Sequence, residues 1–423
     1  MAVRIRKDVW SLPAGDSTLQ WYARAVEVMR GRSLGDRTSW TYLAAVHNVR
    51  PGAPERPGSA AHWRQCQHQT WYFLPWHRGY LACFEAIVSE TIAGLGGPSD
   101  WALPYWNYSE ALTVQPNARR IPPAFRNQTL PNGAVNWLWA PRAQSVNGDF
   151  GFADDVVSLD ALKIAFFANS GFQVGFGGPV TGFSLAGNEN GALEEVPHNW
   201  VHGLIGGQSG FMSFTTTAAL DPIFWLHHCN LDRLWEVWRN GGHSSPTEAT
   251  WRSGQTFSIP RSTALSYNFT CADVLDTTTI LHGYQYDSTP VAREPVAPQP
   301  VPEVVVAAAG RRAPPTAPIA ETVALGADAP DLVGSSSATL ALEGPVTRTS
   351  LEIRRDLSAR FALEAAAPTR VFLHLEGITG LGAPGNFRVY VGPAGAEPTL
   401  VAGQFSTFGL ETRLDGVSGG RKS

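Results

Sequence analysis

Residues 221–235 read Asp-Pro-Ile-Phe-Trp-Leu-His-His-Cys-Asn-Leu-Asp-Arg-Leu-Trp, DPIFWLHHCNLDRLW. The stretch 222–239 has Pro at its front, helical apolar spacing through its length and Gly241-Gly242 just beyond it, so a helix is expected. Two adjacent histidines, His227 and His228, lie inside it. Successive helix residues point about 100° apart, so one of the pair is expected to reach a metal held by other histidines.

Those other histidines lie upstream. In PHNWVHG (197–203), again with Pro at the front, His198 and His202 are spaced i,i+4 and project from one helix face. Together with one of the pair they make three imidazoles from two helices. A further group surrounds CQHQTWYFLPWHRGYL (66–81), where His68 and His77 sit among aromatics, with His47 before them. A helix is expected over 75–93 and another over 16–31. Taken singly, each histidine reads as a satisfied core residue. Two trios in aromatic surroundings, without a carboxylate or Cys-x-x-Cys pattern, read instead as sites for a metal that prefers imidazole, copper or zinc.

Composition bounds the rest. The 423 residues exceed one typical domain, and 43% hydrophobic against 16% charged residues marks a chain with a large core. A net charge of -4 and a pI near 6.3 give no electrostatic footprint for nucleic acid. No apolar run approaches the ~20 residues that span a membrane. MAVRIRKDVWSLPAG carries basic residues with no apolar segment behind them, so a cytoplasmic location is the expectation. Cys66, Cys83, Cys229 and Cys271 form no disulfide framework. Residues 289–318, dense in Pro, Ala and Val, read as a linker. From 319 to 423, short runs such as SLEIRR, RVFLHLEG and FRVYVG alternate with period two, which predicts a β-sandwich. The expected architecture is a mainly α catalytic domain over 1–288, a helical bundle with long loops, followed by this smaller all-β domain.

These motifs together resemble the type-3 copper proteins: tyrosinases, catechol oxidases and molluscan haemocyanins. The nine-residue step from His68 to His77 within FLPWHRGYL, the following LPYWNY (103–108), EEVPHNWVHGLIGG, DPIFWLHHCNLDRLW and GYQYD carry the resemblance, over roughly residues 3–288. It implies a dicopper centre with dioxygen as co-substrate. His47, His68 and His77 would bind the first copper, with His62 the rival for His47. His198, His202 and His228 would bind the second, leaving His227 beside the ligands. Cys66, two residues before His68, would form a thioether to its imidazole, restraining the ring.

The resemblance also assigns lesser roles. Asn199, with Glu194 or its neighbour Glu195, would hold the water that deprotonates a monophenol. Gly203 would leave the entrance open. Thr215 stands where some relatives carry a bulky gate, although Phe214 is adjacent. Phe224 would pack against the site, and Asp232 would orient His228 or pair with an arginine. The function implied is a tyrosinase: monophenols to o-diphenols, then o-quinones. The alternatives are a catechol or o-aminophenol oxidase without hydroxylation and a haemocyanin-like oxygen carrier. Small phenols are the expected partners, with neither a membrane nor nucleic acid; copper delivery by a partner protein and homo-oligomer formation are both compatible with the sequence. In relatives the C-terminal β-domain keeps the enzyme latent, and the same lid role is expected for 319–423.

Overall fold

The computed structural model describes residues 3–50, 52–56, 58–143, 151–170, 173–183 and 189–288, with short stretches between 334 and 408. The expected linker lies outside the described residues. In chain order the helices are α1 (Thr18–Gly31), α2 (Trp40–His47), α3 (Ser59–His62), α4 (Phe73–Gly94), α5 (Trp200–Gly206), α6 (Pro222–Asn240) and α7 (Ala249–Arg252). The strands are β1 (Arg4–Arg6), β2 (Phe257–Pro260), β3 (Ser266–Phe269), β4 (Tyr284–Tyr286), β5 (Gly334–Ser335), β6 (Glu352–Ile353), β7 (Asn386–Val391) and β8 (Leu400–Ser406).

The chain divides into two units. The first comprises Met1–Pro298, Leu375–Phe387 and Gln404–Ser423; the second comprises Gln299–His374 and Arg388–Gly403. In the C-terminal region the described strands form separate two-stranded ladders, β5 with β6 and β7 with β8.

The first unit is built on α1, α4 and α6. Helix α6 starts where Pro222 needs no donor partner, and Asp221 caps it by accepting from the Ile223 amide at 3.0 Å. Arg142 holds that cap with two bonds of 2.6 and 2.7 Å to the Asp221 carboxylate. Between α4 and α6, Phe84 and Trp225 lie stacked at 3.5 Å, both fully buried. Burying one such phenylalanine contributes about 1.5–3 kcal/mol. The β2–β3 hairpin lies so close to α4 that a Cβ on Gly79 would meet Phe269 Cζ at 2.2 Å, so no larger residue fits there.

A buried charge cluster closes the unit. β1 and β4 pair in parallel, and Arg6 from β1 meets Glu85 of α4 at 2.6 Å and Asp232 of α6 at 3.3 Å. Arg78 reaches Asp232 at 2.5 Å and Glu236 at 2.6 Å, while Tyr284 and Tyr286 donate to Asp232 at 2.6 and 2.5 Å. Burial works against the Asp232 charge, but Arg78 and Arg6 outweigh it and hold the carboxyl below its ordinary range. Asp232 thus pins β1, β4 and two helices around one point.

Candidate metal centre

Six segments bring the histidines together. His47 ends α2, a helix capped by Ser39 and tied to α4 by the Tyr80 hydroxyl on the Leu43 carbonyl at 2.5 Å. His68 lies in the loop before α4, and His77 one turn inside α4. His198 comes from the turn Glu194–Asn199, which Val196 breaks with extended φ/ψ of -134° and 121°. His202 lies on α5, and His227 and His228 on α6. Helical backbone resumes after Val196 and runs through Asn199 into α5, so the expected helix at 197–203 is present, with Pro197 at its front.

The local hydrogen bonds decide which nitrogen each ring offers. His47 Nδ1 donates to the Thr215 carbonyl, His77 Nδ1 to the Phe73 carbonyl and His202 Nδ1 to the Met212 carbonyl, each at 2.8 Å. A carbonyl only accepts, so these three Nδ1 atoms carry the proton and each Nε2 carries the lone pair. His198 Nδ1 has Asn199 Oδ1 at 2.8 Å. The Nε2 atoms of His47, His198 and His227 are buried with no hydrogen-bond partner. Burial lowers His47 to about 4 and His227 to about 3, and it holds His77, His198, His202 and His228 well below the ordinary imidazole value. All stand neutral, as ligands must.

Two groups result, His47, Cys66, His68 and His77 in one and His198, His202, His227 and His228 in the other, each with candidate ligand atoms within 4.8 Å of one another. They face each other: the His77 and His228 rings stack at 4.4 Å, and His68 lies 5.7 Å from His198. His202 Nε2 and His228 Nε2 stand 3.3 Å apart. Unpartnered buried imidazole nitrogens converging in this way fit a pair of imidazole-bound metal ions. The second group holds both His227 and His228, although helix geometry had led us to expect one. His227 lies nearly parallel to His198 at 5.5 Å, with its Nδ1 beside the Tyr108 hydroxyl at 3.0 Å. His62 is bound elsewhere, between Tyr42 and Ser266.

Cys66 Sγ stands 3.5 Å from His68 Nδ1 and 3.7 Å from Nε2, so it faces the carbon that both nitrogens flank. Burial, with the nearby Glu194 charge, keeps this thiol protonated. Glu194 accepts the Gln69 amide with both oxygens, at 2.8 and 3.0 Å. Glu195 contacts the amide groups of Asn190 and Asn199, the latter at 3.4 Å, and accepts the Ser406 amide at 2.5 Å.

Three phenylalanines line the groups. Phe224 meets His228 at 4.2 Å and His47 at 5.1 Å, and Phe73 meets His77 at 4.7 Å and His198 at 4.8 Å. Phe408 stacks on His202 at 4.2 Å. Thr215 is buried, with its carbonyl taken by His47. Among the described residues Phe214 makes no ring contact with a histidine. Sequence reading passed over Phe73, although its spacing of four from His77 on a helix was a usable signal. It also passed over Phe408, which lies some 180 residues from the nearest histidine motif and has no local pattern.

Residues 37–241 match the model of the common central domain of tyrosinase, and residues 329–420 match a domain of unknown function. A tyrosinase of Hahella sp. (strain CCB-MM4) is 42% identical over 271 residues, covering 59% of this chain and 56% of that protein. Aureusidin synthase of Antirrhinum majus is 28% identical over 252 residues, 56% of this chain and 43% of its own length. The chain thus spans about half the length of these relatives. The crystal structure of Grenache (Vitis vinifera) polyphenol oxidase superposes with a TM-score of 0.53 at 25% identity, covering 68% of this chain and 86% of that one. Latent apple tyrosinase shares the fold, with a TM-score of 0.51 at 24% identity over 69% of this chain and 64% of its own.

Proposed function

Because the chain belongs, through residues 37–241, to the tyrosinase and polyphenol oxidase family of type-3 copper proteins, we propose that it is a copper-dependent oxidase of small phenols. The observation that carries this reading is the facing pair of buried histidine groups, in which His47, His77 and His202 each tie Nδ1 to a backbone carbonyl and so present Nε2 as the candidate ligand atom. His47, His68 and His77 would hold one copper and His198, His202 and His228 the other. Bound copper supplies the activation of dioxygen and the oxidation of the phenol ring.

The remaining tasks fall to side chains. A free phenol has a pKa near 10 and arrives protonated. Asn199, held against His198, and a carboxylate beside it would fix the water that takes this proton. Glu194 is our first choice; the Asn199 contact favours Glu195 as its rival. Gly203 adds no bulk beside His202. The Phe73 and Phe224 rings exclude water and hold the histidines at their packing distances. A thioether from Cys66 to His68 would form a carbon–sulfur bond with loss of the thiol hydrogen and the ring hydrogen, their two electrons passing to dioxygen. It would keep His68 from swinging out.

A second reading, oxidation of diphenols without hydroxylation, is favoured by one observation. Both Glu194 oxygens accept the Gln69 amide, so the carboxylate is already engaged with backbone on the side where it would hold a base water. Latency belongs to the proposal too. The Phe408 ring lies on His202, where a phenol would need to stack, and we take residues 319–423 as the lid that carries it, released by cutting within 289–318. Oxygen uptake by copper-loaded, linker-cut protein, with a monophenol and then its catechol, tests the reading. Uptake with both supports hydroxylation; uptake with catechol alone supports the second reading. Reversible oxygen binding without turnover on either overturns both in favour of a carrier.

A further inference from the structure

The turn and helix that deliver His198 and His202 also touch the C-terminal chain at two points away from Phe408. Glu195 accepts the Ser406 amide at 2.5 Å. Asn386 donates from Nδ2 to the Trp200 carbonyl at 3.2 Å, in the first turn of α5. Its amide lies over Gly203: a Cβ there would stand 2.9 Å from Asn386 Oδ1 and 3.1 Å from Nδ2. Asn386 Oδ1 itself is buried without a hydrogen-bond partner.

The two points act as one clip. Thr407 donates its amide to the Gly385 carbonyl at 2.9 Å, and the Gly385 amide donates to Thr407 Oγ1 at 2.7 Å. Phe387 and Phe405 stack beside them at 5.0 Å. The Phe408 amide then turns back onto Ser406 Oγ at 3.1 Å, so the anchored backbone aims the ring at His202. Each ring contact of Phe408 is a weak hold, whereas an amide bonded to a carboxylate is among the stronger hydrogen bonds.

We propose that the segment 195–203 is a two-point seat for the C-terminal chain, with Glu195 receiving the Ser406 amide and the bare Gly203 leaving room for Asn386 on the Trp200 carbonyl. The seat holds the segment in place, and the Phe408 ring it carries fills the substrate's place. The residue at 203 therefore acts on latency: a side chain there evicts Asn386 and loosens the clip while His202 stays in place. This deepens the latency reading above and rests on it.

The test uses full-length, copper-loaded protein and two readouts, amide hydrogen exchange at 385–387 and 404–408 and catechol turnover without proteolysis. Asn386→Ala and Ser406→Pro should each raise exchange at Thr407 and Phe408 by about tenfold or more and raise uncut turnover. Gly203→Val should match Asn386→Ala, and the two combined should add nothing further. Phe408→Ala should raise turnover while leaving exchange at 385–387 unchanged. Unchanged exchange in Asn386→Ala overturns the seat and leaves the ring plug standing; this variant decides even where Ser406→Pro fails to fold. No gain of turnover in Phe408→Ala overturns the latency reading itself.

Discussion

The Phe408 ring lies over the His202 imidazole with centroids 4.2 Å apart and planes 17° from parallel. It also meets His198 at 5.6 Å and His68 at 6.0 Å, nearly edge-on to both. One side chain thus touches both histidine groups. Stacked and edge-on contacts are the two arrangements aromatic rings favour, so this place accepts a flat ring. A phenolic substrate of the same shape would compete for it.

Asp232 tests whether the closing charge cluster is structural. Replacing it with Asn leaves Arg6 and Arg78 buried beside a neutral group. Breaking a buried pair from one side costs about 3–5 kcal/mol. Chemical denaturation of Asp232→Asn should show a loss of that size, with little change in which phenols are oxidised. A loss below about 1 kcal/mol, the scale of an exposed pair, would contradict the cluster's role.

Cys66 should leave a mass signature. A peptide joining Cys66 to His68 through carbon and sulfur is lighter by two hydrogen atoms than the unlinked peptide, and copper with dioxygen should convert one into the other. Cys66→Ser should fold, keep its copper sites and lack the mass change. A free, alkylatable Cys66 in fully active protein would refute the bond.

Glu194 and Glu195 separate by substrate. If Glu194 holds the base water, Glu194→Gln should lower monophenol turnover by roughly 10²–10⁴ and leave catechol turnover nearly intact. The same selective loss in Glu195→Gln alone would transfer the role to the carboxylate that touches Asn199. Because Glu195 also holds Ser406, this comparison is made on linker-cut protein.

His62 predicts a pH dependence away from the metal site. Burial, with Arg37 nearby, lowers it from 6.5 to about 4. The unfolded chain therefore binds the proton first. Its contribution to stability is complete above about pH 6.5 and is lost as pH falls toward 4, at no more than about 1.4 kcal/mol per pH unit. His62→Gln, which can still bond Tyr42 and Ser266, should flatten that slope relative to the parent. An unchanged slope would show that His62 does not titrate in this window.

The helices that carry His77 and His228 were legible because apolar spacing, proline and glycine mark α4 and α6 directly. Their histidines followed from spacing and from the motifs around them. Helix α2 was missed: its eight residues are almost all buried and so show no amphipathic stripe, and only Ser39 marks its start. The helix at 197–203 was legible from Pro197 and the i,i+4 histidines, whereas the kink at Val196 just before it carries no local signal. Phe408 was illegible for a simpler reason. Its partner His202 lies 206 positions away, and no motif near Phe408 points to it.

The most direct test of the account is catechol turnover by the uncut, copper-loaded chain carrying Phe408→Ala, set beside the uncut and the linker-cut parent. Without proteolysis, the variant should rise from the low rate of the uncut parent toward the rate of the cut protein. A variant that stays as slow as the uncut parent, while the cut protein turns over freely, would contradict the claim that this ring occupies the substrate's place on His202.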